Sequence, residues 1–444
     1  MTMRTVWAFG FCCALLATFA VAQPPPPADP DPAMNHPDMI AWQLFLQVNA
    51  DAKTAGNNNA LFETWANDGD TFNPSPKWPG PGEATKAFHP PVLTNLLRER
   101  AEMPPHGPIA QVVPPKPGSD PAVDGVEEVR RNHASFQFIV DNNLYKVSGL
   151  QKAFNTDIVF PTDSIEVKAN WYPVVDPKDP TKTAIPGFDG TPAEALKVYH
   201  VNTTSDGKQY ALVSMHIISK MVPNWTWATF EHRNNLGRCD VLGCNDSFGA
   251  VNAHVAPNAD IQKGYPSCAK SPALAALFKA AKIDPAFANY CLKGTQVDFT
   301  DQAGLATRLG NSITEATFLE QSSCMTCHGK AAFNAEGLVT TFAGFSATAF
   351  QGFDKAGNPQ LGDAPIGALR AEWFWNAGAG TQTYAKPPIN GQTTQNPPHD
   401  PMYRDAGALP PPQRWAQGAD FVWSIPFCAI DDLHGQTKSS CAAK

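Results

Sequence analysis

Residues 322–329, SSCMTCHG, hold two cysteines separated by two residues and a histidine directly after the second. Thiolates and imidazoles bind borderline and soft metals, and a cysteine pair at this spacing can also act as a redox disulfide. Cys324, Cys327 and His328 could therefore form a redox dithiol, half of a zinc site or a covalent attachment point for haem.

The surrounding sequence favours haem. A zinc site of this kind needs a second pair of ligands at short spacing, and none follows His328. A thioredoxin-like dithiol needs a preceding strand within a βαβ unit, whereas GLATRLGNSITEATFLEQSS is typical of helix or loop. C-x-x-C-H is the c-type haem attachment pattern, because on one helical turn both thiols and the histidine can reach the haem. The sequence predicts one covalent haem c on Cys324 and Cys327, with His328 as axial iron ligand.

The side chain on the other side of the iron decides between electron transfer and catalysis, because a second strong ligand closes the iron to substrates. After the motif, His399, Met402 and His434 could serve. Met402 lies in the stretch PPHDPMYRD, whose prolines would stiffen a loop that folds back over the haem. We predict Met402 as the sixth ligand, with His216 as the alternative.

A second group of polar side chains lies among aromatic and aliphatic residues in the middle of the chain. The candidates for a catalytic role are Glu166, Lys168, His216, Lys220, Glu231 and His232. In one interpretation they are solvated charges on the outer face of a sheet with a Trp-rich core. In the other, several converge beside the haem as distal ligand, proton donor or propionate partner, since histidine transfers protons near neutral pH.

The first residues indicate export. Arg4 precedes an apolar run of about 14 residues and then Ala-Val-Ala at 20–22, which is the pattern of a secretory signal peptide. The run is too short for a transmembrane helix, which needs about 20 apolar residues. We expect a signal peptide at 1–22, a Pro-rich leader at 23–37, and a periplasmic protein without an integral membrane segment.

The charge balance argues against a nucleic-acid partner. The chain has 33 basic and 41 acidic residues, a net charge of −8. Nucleic-acid binding depends on clustered basic residues, and no basic stripe is present. The expected partners are a redox protein and, if the protein is an enzyme, a small-molecule substrate.

The remaining cysteines of the mature chain form three local pairs: Cys239–Cys244, Cys268–Cys291 and Cys428–Cys441. Exported proteins favour structural disulfides. Many connectivities are possible, so this prediction rests on proximity in the sequence. The second pair would clip a helical hairpin, and the third would fix the C-terminus.

Helical and strand patterns do not alternate as βαβ, which predicts an α+β fold. Helical patterns occur at 38–50, 90–103 and 271–292. Strand patterns occur at 133–147, 163–175, 197–204 and 209–220, the last two as a hairpin. We predict a helical N-terminal entry and a β-rich core within an α+β region at 38–265. A mainly helical, cytochrome-c-like haem-binding region is expected at 266–444.

Several segments resemble those of exported bacterial cytochrome c family proteins, which carry a single late C-x-x-C-H motif. Besides that motif, the similar segments are 42–49, IEVKANW at 165–171, MHIISK at 215–220, WTWATFEH at 225–232 and ADFVWSIPFC at 419–428. The resemblance spans nearly the whole mature chain, and WATFEH is its most specific block. The Trp-Pro expected after Asn49 is absent. The resemblance implies a covalent haem and no particular reaction.

The leading hypothesis is a periplasmic single-haem c-type cytochrome that exchanges electrons with another protein. The alternatives are a peroxidase-like haem oxidoreductase, with a substrate pocket in the β-rich region, and a haem-based sensor. A single C-x-x-C-H motif argues against the bacterial two-haem peroxidases, which need a second haem to deliver electrons.

Overall fold

The structure is a computed structural model. It describes residues 31–52, 59–79, 126–204, 207–239, 241–258, 264–266, 268–315, 319, 322–339, 350–353, 359–361, 366–369, 374–376, 413–414, 416–439 and 441. The expected signal peptide, the expected helix at 90–103 and Met402 lie outside these residues.

The described α-helices are short, and most begin at a capping residue. They are α1 Pro32–Asn35, α2 Pro37–Val48, α3 Asp68–Thr71, α4 His133–Asp141, α5 Val147–Ala153, α6 Pro192–Val198, α7 Pro272–Ala280, α8 Cys324–Gly329 and α9 Ser424–Cys428. 3₁₀ helices lie at Leu61–Thr64, Pro285–Asn289 and Asp432–His434.

The described strands fall into one large sheet and several two-stranded pairs. The strands are β1 Ala66–Asn67, β2 Val126–Arg131, β3 Ile165–Pro173, β4 Val201–Thr203, β5 Gln209–Ser219, β6 Thr226–His232, β7 Cys244–Asn245, β8 His254–Val255, β9 Tyr290–Gln296, β10 Ala332–Phe333, β11 Phe350–Phe353, β12 Pro359–Leu361, β13 Trp375–Asn376, β14 Gln413–Arg414 and β15 Gln417–Gly418.

In the large sheet the strand order is β1-β2-β3-β5-β6-β9, and β4 pairs with β5. All of these pairs are antiparallel. The predicted strands at 163–175 and 209–220 and the β4–β5 hairpin are confirmed. Strand β9 ends at Gln296 and the helix with the C-x-x-C-H motif begins at Cys324, so β9 is the strand of this sheet that precedes the motif in the chain.

One face of the sheet is apolar and packs on α2, whose predicted helical pattern is confirmed. Its buried residues recur at helical spacing, which directs one side of the helix onto the sheet. Trp42 and Phe45 are fully buried, with ring centroids 5.0 and 4.5 Å from that of Phe230 on β6. Burial of such side chains stabilises the fold by about 1.5–3 kcal/mol each.

The opposite face of the sheet is polar but is also buried. Successive strand residues point to opposite faces, so the polar set comes from alternate positions. Its members are Glu166, Lys168, Asn170, Ser214, His216, Thr229 and Glu231. All of them except Lys168 are buried, so they are not solvated charges on an outer face. An apolar cluster that includes Ile218, Trp227 and Met325 joins this side of the sheet to α4, α5, α8 and α9.

The prediction of a mainly helical, cytochrome-c-like C-terminal region is wrong. After α7 the described α-helices are α8 and α9, with six and five residues, and short paired strands surround them. A C-x-x-C-H motif specifies one helical turn, and the described chain around it forms short strand pairs such as β10–β15 and β13–β14. The fold combines α-helices with a mainly antiparallel sheet and is α+β only in this broad sense.

Two further element predictions are wrong. Residues 133–141 form helix α4 rather than a strand. The Asn132 side chain caps this helix by accepting a hydrogen bond from the Ser135 N–H, and Phe136 and Ile139 lie on its buried side. A short apolar run is compatible with both helical and strand periodicity, and this run adopts the helix. Residues 281–292 do not form an α-helix either, because the 3₁₀ helix at Pro285–Asn289 leads into β9.

All three predicted disulfides are confirmed. Their Cα–Cα distances are 4.9 Å for Cys239–Cys244, 5.8 Å for Cys268–Cys291 and 5.2 Å for Cys428–Cys441. The second joins the segment before α7 to strand β9, not to a second helix. Among the described residues, no helix has the length and apolar character that crossing a membrane requires.

Candidate functional site

Helix α8 carries the C-x-x-C-H motif and is fixed to strand β9. Ser323 caps the helix, since its Oγ accepts from the Thr326 N–H (3.4 Å). The Gln296 amide on β9 donates to Ser323 Oγ (2.8 Å) and accepts from the Met325 N–H (3.1 Å). Gln296 is a cross-strand neighbour of Trp227 on β6. The first turn of the motif is therefore held against the polar side of the sheet.

Cys324 and Cys327 are free thiols one helical turn apart. Cys324 is buried and donates to the Leu309 carbonyl (3.4 Å), whereas Cys327 is partly exposed. Burial raises the pKa of both thiols. A reactive redox dithiol has a lowered thiol pKa, so this environment is the opposite of the one such a centre needs.

A backbone carbonyl orients the imidazole of His328. Nδ1–H donates to the Phe421 carbonyl (3.0 Å), which leaves the lone pair on Nε2, and within the described residues Nε2 has no hydrogen-bond partner. The ring lies against Trp227, with centroids 4.7 Å apart. Burial, and then the charge of Lys168, lower the pKa of His328 to about 3, so the ring is neutral at pH 7. A neutral imidazole held in this way has the form that binds a metal.

These groups fit a covalently attached haem. Two thiols at i and i+3 can form thioethers, and the free Nε2 of His328 can bind the iron. The indole N–H of Trp225 is fully buried in the apolar cluster that contains Cys324 and Met325. Within the described part of the chain this N–H has no acceptor. Buried donors without acceptors are rare, and a bound group with an acceptor would satisfy this one.

Lys168, His216 and Thr229 form a row of cross-strand neighbours on β3, β5 and β6. His216 Nδ1–H donates to Thr229 Oγ1 (2.6 Å), and Nε2 accepts from the Asn311 amide (2.9 Å). The amide orientation is fixed, because Asn311 Oδ1 accepts from two backbone N–H groups. Burial lowers the pKa of His216 to about 3, so this histidine is neutral.

Two carboxylates border this row. Glu315 Oε2 lies 3.5 Å from His216 Nε2, and burial raises the pKa of Glu315 to about 7. Glu127 Oε1 pairs with Lys168 Nζ at 3.1 Å. Glu315 can therefore exchange a proton near neutral pH, beside a neutral base and a lysine.

Glu166 and Glu231 lie on the same sheet face in separate networks. Glu166 accepts from Ser135 Oγ (2.6 Å) and pairs with Arg131 (3.4 Å). Glu231 accepts from the Ser312 N–H (2.9 Å) and lies 3.6 Å from Lys293 Nζ. Both carboxylates are buried and paired, and they join neighbouring segments to the sheet.

Lys220 and His232 do not join the row of Lys168 and His216. Lys220 follows β5 and pairs with Asp420, the residue before Phe421. His232 stacks on Tyr199 (3.7 Å between centroids) and donates from Nε2 to a backbone carbonyl. His232 belongs to the packing on the other side of the sheet.

The candidates for the sixth iron ligand are only partly described. Met402 and His399 lie outside the described residues. His434 is exposed and pairs with Asp431 (2.8 Å). His216 lies on the motif side of the sheet, with Nε2 engaged by Asn311.

Five residues around the site were missed by the sequence analysis: Gln296, Asn311, Glu315, Phe421 and Trp423. Trp423 donates from Nε1 to the Cys327 carbonyl (3.2 Å). Phe421 and Trp423 lie within 419–428, a segment that the resemblance had singled out. No local motif marks the other three residues.

No protein-family model matches this chain, and no curated protein or solved structure does so either.

Proposed function

We propose that the protein is a single-haem c-type cytochrome that exchanges electrons with a redox partner protein. The observation that carries the proposal is the orientation of His328, whose Nδ1–H donates to the Phe421 carbonyl while Nε2 is left for iron. This histidine directly follows the second of two free cysteines on the same helix. The resemblance to exported bacterial cytochrome c family proteins supports the same function.

Each residue of the site has a distinct role in this proposal. Cys324 and Cys327 would hold the haem by thioether bonds, and Nε2 of His328 would bind its iron. The indoles of Trp227 and Trp423 pack beside the motif, where they contact the His328 ring and the Cys327 carbonyl. A haem held here supplies one-electron oxidation and reduction, with a potential set by the axial ligands, their hydrogen bonds and burial.

We also propose that the protein works in the periplasm after removal of residues 1–22. The signal-peptide pattern supports export. Three disulfides fit an oxidising compartment, because such bonds are rare in the cytosol.

The test is covalent haem attachment in cells that attach c-type haems. We expect haem to remain on the denatured chain after acid–acetone extraction, and the recovered chain to begin at Gln23. The double variant C324S/C327S should carry no covalent haem, because serine forms no thioether.

A matched control is C239S/C244S, which removes a disulfide distant in sequence and should keep the haem. Free haem in the wild-type extract, or zinc in place of haem, would overturn the proposal. Equal haem loss in both double variants would indicate misfolding, and thioether mapping by mass spectrometry on wild-type peptides would then decide.

A haem-dependent oxidoreductase is the second candidate function. The group of Lys168, His216 and Glu315 favours it, because it combines a cation, a neutral base and an acid with a pKa of about 7 on the motif side of the sheet. Such groups can bind a small polar substrate and move protons. A sensor role has no comparable observation in its favour.

A further inference from the structure

We infer that the buried ion pair of Lys220 and Asp420 positions the axial ligand His328 and so sets the reduction potential of the iron. This inference rests on the proposed haem function. Within the described residues, neither partner makes a hydrogen bond to His328. They act through the Phe421 carbonyl, which accepts the Nδ1–H of the ligand. Both are positioning residues.

The backbone that presents this carbonyl is strained. Asp420 has φ 46° and Phe421 has φ 71°, values of the left-handed region that glycine favours. Two consecutive non-glycine residues persist in this region only where surrounding contacts fix them. The direction of the Phe421 carbonyl therefore depends on the contacts of Asp420.

Both carboxylate oxygens of Asp420 are fixed. Oδ1 accepts from Lys220 Nζ (2.6 Å), and Oδ2 accepts from the Phe160 N–H (2.8 Å). Lys220 Nζ also donates to the Pro223 carbonyl (2.6 Å). The two charged side chains are 6% and 8% exposed. The end of β5, the turn after it and the Phe160 segment thus hold the strained turn in one orientation.

The bond from Nδ1–H to the carbonyl affects the iron through the basicity of the imidazole. A stronger bond makes the ligand more electron-rich, which favours ferric iron and lowers the potential. Release of Asp420 would let the strained turn relax and the carbonyl rotate. The potential should then rise.

Asp420→Asn and Lys220→Met separate positioning from direct charge effects. Loss of a negative charge near the iron raises the potential, whereas loss of a positive charge lowers it. Loss of the positioning contact raises the reduction potential in both variants. We expect the reduced-to-oxidised ratio at fixed ambient potential to rise in each, and to rise more in Asp420→Asn than in Lys220→Met.

The double variant K220M/D420N is the decisive measurement, because the two charge effects cancel in it. It also leaves no unpaired buried charge, so it remains informative where a single variant does not accumulate. We expect the reduced-to-oxidised ratio at fixed ambient potential to rise about tenfold, between the rises of the two single variants, which is about 59 mV for a one-electron couple. Lys220→Arg keeps the positive charge and the hydrogen-bond donors, so it should retain the wild-type reduction potential.

Asp179→Asn is the matched control, because Asp179 pairs with Lys182 on the surface (3.3 Å). It should leave the potential unchanged. An unchanged potential in the double variant, or opposite shifts in the two single variants, would overturn the positioning role. Absence of covalent haem from the wild-type protein would instead overturn the proposed function.

Discussion

The ring nitrogens of His200, His216 and His328 face different partners, and these partners decide the charge of each ring. His216 hydrogen-bonds Thr229 and Asn311, and His328 hydrogen-bonds a backbone carbonyl; burial lowers the pKa of both rings, which are neutral. His200 is fully buried with Nε2 2.9 Å from Glu63 and Nδ1 2.8 Å from Asp284. Burial alone would lower the pKa of His200, but the two carboxylates outweigh it and raise the pKa to about 9.

His200 should make the stability of the protein depend on pH. Its folded pKa of about 9 exceeds the unfolded value of 6.5. The stabilisation is therefore complete below pH 6.5 and is lost as the pH rises through 9. We expect the difference in unfolding free energy between wild type and His200→Gln to shrink by about 3 kcal/mol between pH 6 and pH 9.5. Urea unfolding of both proteins at several pH values measures this difference in unfolding free energy.

His254→Gln is the control for this prediction, because His254 is exposed and hydrogen-bonds only Asn245 among the described residues. It should keep the wild-type pH profile. A difference between wild type and His200→Gln that does not change with pH would show that the ring is neutral in the folded protein.

At the scale of elements, the contact of β9 with α8 connects the sheet to the motif. The Gln296 amide supplies both a donor and an acceptor to the first turn of α8. Gln296→Leu leaves the buried Met325 N–H without its acceptor. We expect a loss of about 2 kcal/mol in unfolding free energy, measured by urea unfolding.

Gln137→Leu is a matched control for this prediction, since that glutamine bonds Asp141 on the surface of α4. It should change the stability by less than about 0.5 kcal/mol. An equally small change in Gln296→Leu would show that α8 is held by apolar packing alone.

The elements that could be predicted are those with one dominant period. Strands β3 and β5 and helix α2 have clear patterns, and all three formed. Helix α4 was not predicted, because its short apolar run is compatible with both helical and strand periodicity. Only the capping residue Asn132, which precedes the run, indicates the helix. The C-terminal region was wrongly predicted because a haem motif specifies one helical turn and nothing about the chain around it.

At the scale of the whole molecule, the sheet separates two environments. The face toward α2 is a conventional apolar core. The other face buries polar side chains beside the motif, each with a partner from a distant segment. Spacing in the sequence predicted Cys324, Cys327 and His328 as site residues. It could not identify Phe421 or Gln296, because their contacts depend on how the sheet and the C-terminal segment meet.

In the proposed haem protein, the sixth iron ligand would decide between electron transfer and catalysis. In the described arrangement His216 Nε2 accepts from Asn311, and iron binding would have to break that bond. We therefore expect His216→Ala to leave carbon monoxide binding to the reduced protein unchanged. Met402→Ala should increase binding, because it would remove the ligand predicted from the sequence. Absorption spectra before and after addition of the gas measure both.

His434→Ala is the control, because this exposed histidine pairs with Asp431. It should behave as wild type. If His216→Ala opens the iron and Met402→Ala does not, the ligand comes from β5. If the wild-type iron already binds carbon monoxide fully, the site is open. In the second case a substrate could reach the iron, and the acid, base and cation of Glu315, His216 and Lys168 would then favour oxidoreductase activity over electron transfer.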